Sequence, residues 1–147
     1  MLTDMRALSL YQPYATAIPL ELKGYETRGW LTHYRGTLAI HSTKHFPAWA
    51  RRFAMDEVTA GRLPDLLPMG FVLAIVELTD CVRTEDVRDE ISDTERRYGD
   101  WSDGRYAWKL EHVRVLLNPV AAVGHQGLWT PDEQVVAAIA RELAVAA

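Results

Sequence analysis

Residues 71–78 read FVLAIVEL, and the turn-forming residues Pro68-Met69-Gly70 come directly before them. Seven of these eight residues are apolar, the exception being Glu77. A short run that is apolar on both faces is typical of a strand that is covered on each side of its sheet. The stretch therefore predicts a central strand, and the rest of the chain must be arranged around it.

Further strands are predicted on both sides of this central one. After Gly36, residues 37–41 (TLAIH) are apolar and partly β-branched, which favours a strand. Downstream, residues 106–117 indicate either a pair of strands or one long bent strand. Two more strands are predicted nearer the N-terminus, over residues 7–11 (ALSLY) and 25–30 (YETRGW).

Helices are predicted between the strands rather than after each one. Gln12-Pro13 opens a short helix that Pro19 ends or kinks, and residues 46–61 form a longer helix. The acidic residues 84–103 are predicted as short helices and loop. The capping box Thr130-Pro131-Asp132-Glu133 starts a last helix that runs into Ala144. This order predicts one α+β domain over residues 1–147, a partly open β-barrel with helices packed around it.

Charge is distributed unevenly along the 147 residues, whose net charge is −4. Residues 23–52 hold six Lys or Arg against one acid, whereas residues 77–103 hold ten acids against four arginines. An acidic protein is a poor candidate for coating nucleic acid non-specifically, because that affinity needs many phosphate contacts. A local basic segment is compatible with binding one nucleotide or a short strand.

The cysteine content and the hydropathy of the chain indicate the cellular compartment and whether a membrane is involved. Cys81 is the one cysteine, so no intrachain disulfide can form, which fits a reducing cytoplasm. No apolar run approaches the length of a membrane span, so a membrane role is not expected.

Five blocks resemble, in order, the signature blocks of ASCH domains, a family named for its homology to a transcriptional coactivator. Together they cover most of the chain, which makes the resemblance specific. The blocks are Ser9-Leu10-Tyr11-Gln12-Pro13-Tyr14-Ala15; Lys23-x-x-Glu26-x-Arg28-x-Trp30; Arg35-Gly36-Thr37-Leu38-Ala39-Ile40-His41; Pro68-Met69-Gly70-Phe71 through Asp80-Cys81; and Tyr106-Ala107-Trp108 with Asn118-Pro119 and Gly124 to Trp129.

The resemblance implies a PUA-like barrel and a role in RNA or nucleic-acid transactions. Some members are ribonucleases and others are binding domains, so the family does not decide catalysis. Related small bacterial amidohydrolases, which remove acetyl from acetylated cytidine, carry threonine at the position of Glu26. Family members often carry glycine where Glu21 stands, shortly before the signature lysine.

Lys23, Glu26 and Arg28 form the candidate site. In an extended strand Glu26 and Arg28 project to the same face, with Lys23 in the loop before it. The cations can hold a phosphate or an oxyanion, and the carboxylate can accept from the amino group of a base or act as a general base. The alternative is an ion pair between Glu26 and Arg28 that only stabilises the strand.

Other residues are expected to line the same site. Tyr14, Trp30, Trp108 and Trp129 are candidates for stacking on a base, and we expect one of them to do so. His41 and Lys44 are expected to be polar lining residues. No metal site is predicted, because His41 and His45 lack the accompanying glutamate of a zinc motif.

Three functions remain open at this stage, and no cofactor is implied by any of them. The first is a binding module for RNA or a nucleotide. The second is a hydrolase, either a ribonuclease or an amidohydrolase of a modified nucleoside such as acetylated cytidine, with Lys23 and Glu26 as the catalytic pair. The third is a protein-interaction domain with a lapsed cleft, against which the intact charged set counts.

Overall fold

The computed structural model describes residues 4–146 and contains a six-stranded mixed sheet. The strand order is β2-β5-β4-β3-β1-β6, and β1 and β3 run parallel while the other neighbouring strands are antiparallel. The sheet curves into a half-barrel. Its strands are β1 (Arg6–Leu10), β2 (Tyr25–Arg28), β3 (Gly36–Ser42), β4 (Phe71–Arg83), β5 (Tyr106–Ala121) and β6 (Leu128–Trp129).

The predicted central strand is confirmed and is longer than expected. β4 continues to Arg83 and lies between β3 and β5. Residues 72–76 are all buried, as a strand covered on both faces requires. Beyond Leu78 the strand becomes exposed, which is why its second half did not stand out as apolar in the sequence.

β5 is one long bent strand, which decides between the two alternatives left by the sequence. Its pairing with β4 shifts register at three places, and His112 has a left-handed φ of 55°. Such irregularities bend a strand and increase its twist. The bend lets the first part of β5 pair with β2 while its whole length follows β4.

Five helices pack around the sheet within the described residues: α1 (Tyr14–Ala17), α2 (Ala48–Thr59), α3 (Thr84–Val87), α4 (Asp93–Arg97) and α5 (Glu133–Ala146). The predicted capping box was wrong by two positions. The Asp132 carboxylate accepts from the Val135 backbone N–H at 2.9 Å, so Asp132 rather than Thr130 caps α5.

The period-two alternation of β1 and β3 creates a core on each side of the sheet. Leu8 and Leu38 pack with Trp108 and with α1 in one cluster. Ala7 and Ala39 face the opposite cluster, which α5 covers. This two-sided arrangement confirms the predicted α+β class, a partly open barrel with helices around it.

The turn after α1 brings the chain to the candidate site. Glu21, at the position where glycine is frequent in ASCH sequences, adopts a left-handed φ of 59°. The Glu21 and Leu22 backbone N–H groups donate to the carbonyls of Ile18 and Ala17 and so close the helical turn. The chain reaches Lys23 through a glycine-like conformation that a glutamate side chain has to tolerate.

Candidate functional site

Lys23, Glu26 and Arg28, hereafter the charged cluster, are in direct contact. The Lys23 ammonium lies 3.1 Å from Glu26 Oε1, and Arg28 Nε donates to Glu26 Oε2 at 2.9 Å. Their side chains are 1%, 11% and 25% exposed respectively. Each oxygen of the carboxylate therefore faces one cation in a largely buried setting, where such contacts are strong.

The geometry of β2 produces this arrangement. Glu26 and Arg28 are two residues apart on an extended strand and share a face, as predicted. Lys23 reaches them from the loop before the strand. The Glu95 carboxylate holds that loop by accepting from the backbone N–H groups of Gly24 and Tyr25 at 2.7 and 3.3 Å. Burial raises the pKa of Glu95, whereas the Gly24 hydrogen bond and Lys23 lower it.

Backbone carbonyls complete the coordination of the two cations. Lys23 Nζ donates to the carbonyl of Tyr98 at 2.7 Å, and Arg28 Nη2 donates to the carbonyl of Ser9 at 3.0 Å. The Tyr14 ring lies 5.8 Å from the Lys23 ammonium, a cation–π distance. The cluster is thus tied to β1, to α1 and to the segment after α4.

The Tyr98 side chain is held in place by Glu57 and Arg62. Its hydroxyl donates to Glu57 Oε1 at 2.6 Å, and Glu57 forms two hydrogen bonds with the guanidinium of Arg62. Burial, then the hydrogen bond to Glu57, raises the pKa of Tyr98. The hydrogen bond from Arg62 lowers the pKa of Glu57. This group positions the Tyr98 carbonyl under Lys23.

The charged cluster forms part of the wall of a cleft of about 1120 Å³. The cleft lies where β1 and β3 end and residues 122–127 cross them. Among the residues that the structure describes, the lining includes five Lys or Arg side chains and two acidic ones, although the whole chain is acidic. Its charged lining residues are Lys23, Arg28, Lys44, Arg97, Arg105, Glu26 and Asp100. A locally cationic cleft of this kind attracts anionic ligands.

The tryptophans predicted to stack have different positions. Trp30 is 40% exposed and lines the cleft. Trp108 does not, and the prediction that it contacts a ligand is wrong. Its side chain is completely buried in the core, where its ring meets Trp30 edge to face at 4.7 Å and its Nε1 donates to the Trp30 carbonyl. Trp108 therefore supports Trp30 from below.

His41 lies in the cleft wall with both ring nitrogens engaged. Nε2 donates to the Ala122 carbonyl at 2.8 Å, which leaves Nδ1 to accept from the Ser9 hydroxyl at 2.9 Å. Trp129 Nε1 in turn donates to Ser9 Oγ at 3.1 Å. Burial lowers the pKa of His41. A Cβ on Gly124 would lie 2.6 Å from both Ser9 and His41, so only glycine lets this loop pack here.

Tyr14 and Lys44 also line the cleft, as expected. Tyr14 stacks on Phe53 at 5.7 Å, and burial raises the pKa of its hydroxyl. The aliphatic part of Lys44 lies over Gly70, where an added Cβ would come within 2.8 Å of Lys44 Cε.

Several lining residues were not identified from the sequence, among them Tyr11, His45, Trp49 and Tyr98. The signal that was present is the aromatic and histidine run just before and at the start of α2. Within residues 4–146, no three His, Cys, Asp or Glu side chains come together as a metal site would need. None of the helices described is both long and apolar enough to cross a membrane.

The profile of the ASCH domain family matches residues 8–120 of the chain. Activating signal cointegrator 1 of Homo sapiens and of Mus musculus are each 24% identical over 134 residues, which cover 87% of this chain. The chain spans only 22% of the length of these relatives.

Solved structures show the same fold. The ASCH protein of Zymomonas mobilis superimposes with a TM-score of 0.60 at 14% identity, covering 95% of each chain. A point mutant of that protein gives the same TM-score and covers 94% of this chain and 97% of its own. The expected partly open barrel with helices packed around it is confirmed by this likeness of fold. Because the family profile extends over most of the chain, from β1 nearly to the end of β5, this protein belongs to the ASCH domain family.

Proposed function

We propose that the cleft binds a nucleotide unit of RNA, with the charged cluster as its centre. The proposal rests mainly on Lys23. This residue lines a large cleft, yet its side chain is only 1% exposed. Desolvating an ammonium group opposes folding, and buried ion pairs are weak stabilisers. Charged groups held in clefts are most often functional. The ASCH resemblance, which implies a role in RNA transactions, supports the same conclusion.

The hydrogen-bonding capacity of the cluster fits a nucleotide. Within the described part of the chain, Lys23 uses one N–H on Tyr98 and one on Glu26, and Arg28 uses Nε and Nη2. One Lys23 N–H and the Arg28 Nη1 group are therefore left for a phosphate. Glu26 oxygens retain lone pairs for the amino group of a base. Trp30, at the rim, offers a ring on which the base can stack.

The test is to titrate the protein with nucleosides, nucleoside monophosphates and inorganic phosphate, and to measure binding by NMR or calorimetry. Lys23→Met removes the central cation, and Lys109→Met is the matched control, because Lys109 is 47% exposed and does not line the cleft. We expect monophosphates to bind to the wild type and to Lys109→Met, and at least about tenfold more weakly to Lys23→Met. Equal affinity in all three proteins would refute the proposal.

A second candidate function is hydrolysis of RNA or of a modified nucleoside such as acetylated cytidine. It is favoured by the Ser9 hydroxyl, which donates to His41 Nδ1 as a nucleophile donates to its base. The Lys23–Glu26 pair is the other candidate machinery, with Glu26 activating water. Thr27 is a poorer candidate than Ser9, because among the described residues no basic side chain accepts its hydroxyl proton, and its Oγ1 accepts from the Asp100 backbone N–H at 3.0 Å.

Product analysis of the titrated mixtures separates these mechanisms. Loss of turnover in Glu26→Gln supports water activation at the Lys23–Glu26 pair, and loss in Ser9→Ala supports the serine. If the wild type turns over neither RNA nor acetylated cytidine, the hydrolase candidate is rejected and binding remains. We place the proposed activity in the cytoplasm, for which the single Cys81 is suited.

A further inference from the structure

Three ring-bearing side chains that contact one another line the cleft: Tyr11, His45 and Trp49, hereafter the aromatic wall. Tyr11 meets Trp49 edge to face at 5.9 Å and His45 at 5.6 Å. Trp49 is 52% exposed and Tyr11 is 39% exposed. An edge-to-face contact covers little of either ring, so aromatic surface remains open to the cleft.

The Tyr14 ring connects the aromatic wall to the charged cluster. Trp49 lies 6.2 Å from Tyr14, and the Tyr14 ring lies 5.8 Å from the Lys23 ammonium. Trp30, two residues beyond Arg28, lines the cleft as well. The cleft therefore presents aromatic surface at Trp30 in addition to the aromatic wall.

The volume of the cleft and the cations in its lining leave room for a ligand larger than the charged cluster alone would hold. Pockets for drug-sized ligands measure about 300–1,000 Å³, whereas this cleft measures about 1120 Å³. Lys44 and Arg97 both line the cleft outside the charged cluster, and Lys44 directly precedes the exposed His45 of the aromatic wall. A cation beside an exposed aromatic ring is the combination by which proteins bind successive units of a single strand.

We propose that the cleft takes single-stranded RNA rather than a mononucleotide, with the base next to the one at the charged cluster stacked on the aromatic wall. The inference rests on the proposed function and specifies its substrate. Lys44 is placed to contact the phosphate that links the two units. The strand must be unpaired, because a base in a duplex is already stacked on both faces. Stacking of one base contributes about 5- to 100-fold in affinity.

The experiment compares mono-, di- and triribonucleotides of one sequence, and the same trinucleotide within a duplex, by calorimetry. Trp49→Ala removes the wall, and Met55→Ala is the control on the same helix, since Met55 is 68% exposed and does not line the cleft. For the wild type and Met55→Ala, we expect oligonucleotides to bind about 5- to 100-fold more tightly than the mononucleotide, and the duplex more weakly. Trp49→Ala should lose this gain and keep mononucleotide affinity.

Two results would overturn the inference while leaving the proposed function intact. Either mononucleotide and trinucleotide bind equally well to the wild type, or Trp49→Ala weakens both by the same factor. If no nucleotide of any length binds to the wild type, the proposed function fails and this inference fails with it.

Discussion

Replacing Lys23 by methionine removes the ammonium group from the charged cluster while nearly preserving side-chain length. The Tyr98 carbonyl then loses its donor, and Glu26 loses one of its two cations. A second variant, Lys23→Met with Glu26→Leu, removes both charges of the most buried pair. Arg28, whose side chain is 25% exposed, can then turn to solvent. Comparing the two variants shows whether the cluster stabilises the fold.

The expected magnitudes follow from burial. Removing one partner of a buried ion pair lowers the free energy of unfolding by about 3–5 kcal/mol. Because Glu26 retains Arg28, we expect the lower end, about 3 kcal/mol, for Lys23→Met. In a domain of this size that corresponds to a fall in Tm of about 6–12 °C. The double variant should be more stable than Lys23→Met, because replacing a whole buried pair by apolar groups is often neutral or stabilising, although the Tyr98 carbonyl still lacks its donor, which costs about 1–3 kcal/mol.

Urea unfolding followed by tryptophan fluorescence measures all three proteins. The expected order of stability is the wild type first, the double variant second and Lys23→Met last. Nucleotide binding should be at least about tenfold weaker in both variants than in the wild type. If the double variant is as unstable as Lys23→Met or more so, the charged cluster serves to stabilise the fold. The inference that the cluster is retained for binding is then refuted.

Three further predictions concern binding, pH and the backbone. For short RNA, log K should fall with log salt at a slope of about 2–4, since few cations line the cleft; a slope near 10 would mean a far larger footprint. Because burial lowers the pKa of His41, the protein should keep its stability above the unfolded-state pKa of about 6.5 and lose stability as pH falls below it. His41→Gln should flatten that part of the stability profile, and an unchanged profile would contradict the assignment. Glu21→Gly should raise the unfolding free energy by about 0.5–1 kcal/mol, because φ at this position is 59°; a decrease measured in urea would show that the glutamate side chain makes a compensating contact.

The fold was largely predictable because its strongest signals are local. The run at residues 71–78 identified the central strand, and Gly36 and the following residues identified β3. The second half of β4 was missed because residues beyond Leu78 are exposed. The bend of β5 was not decidable from the sequence, since it depends on bulges against β4 and on the left-handed φ of His112.

The site was predictable only where its members are close in sequence. The contact of Glu26 with Arg28 follows from strand geometry, and that with Lys23 from the short loop before it. The Tyr98 carbonyl that holds Lys23 lies 75 residues away, so no spacing rule could find it. Trp108 was wrongly expected in the site because an aromatic residue in a strand gives no indication of which face is covered.

A crystal structure of the protein with a nucleoside monophosphate bound tests the central claim most directly. We expect phosphate oxygens within about 3.5 Å of both Lys23 Nζ and the Arg28 guanidinium, and the base within the same cleft. A monophosphate bound at another surface, with the charged cluster still paired only to itself and to the Tyr98 and Ser9 carbonyls, would contradict it.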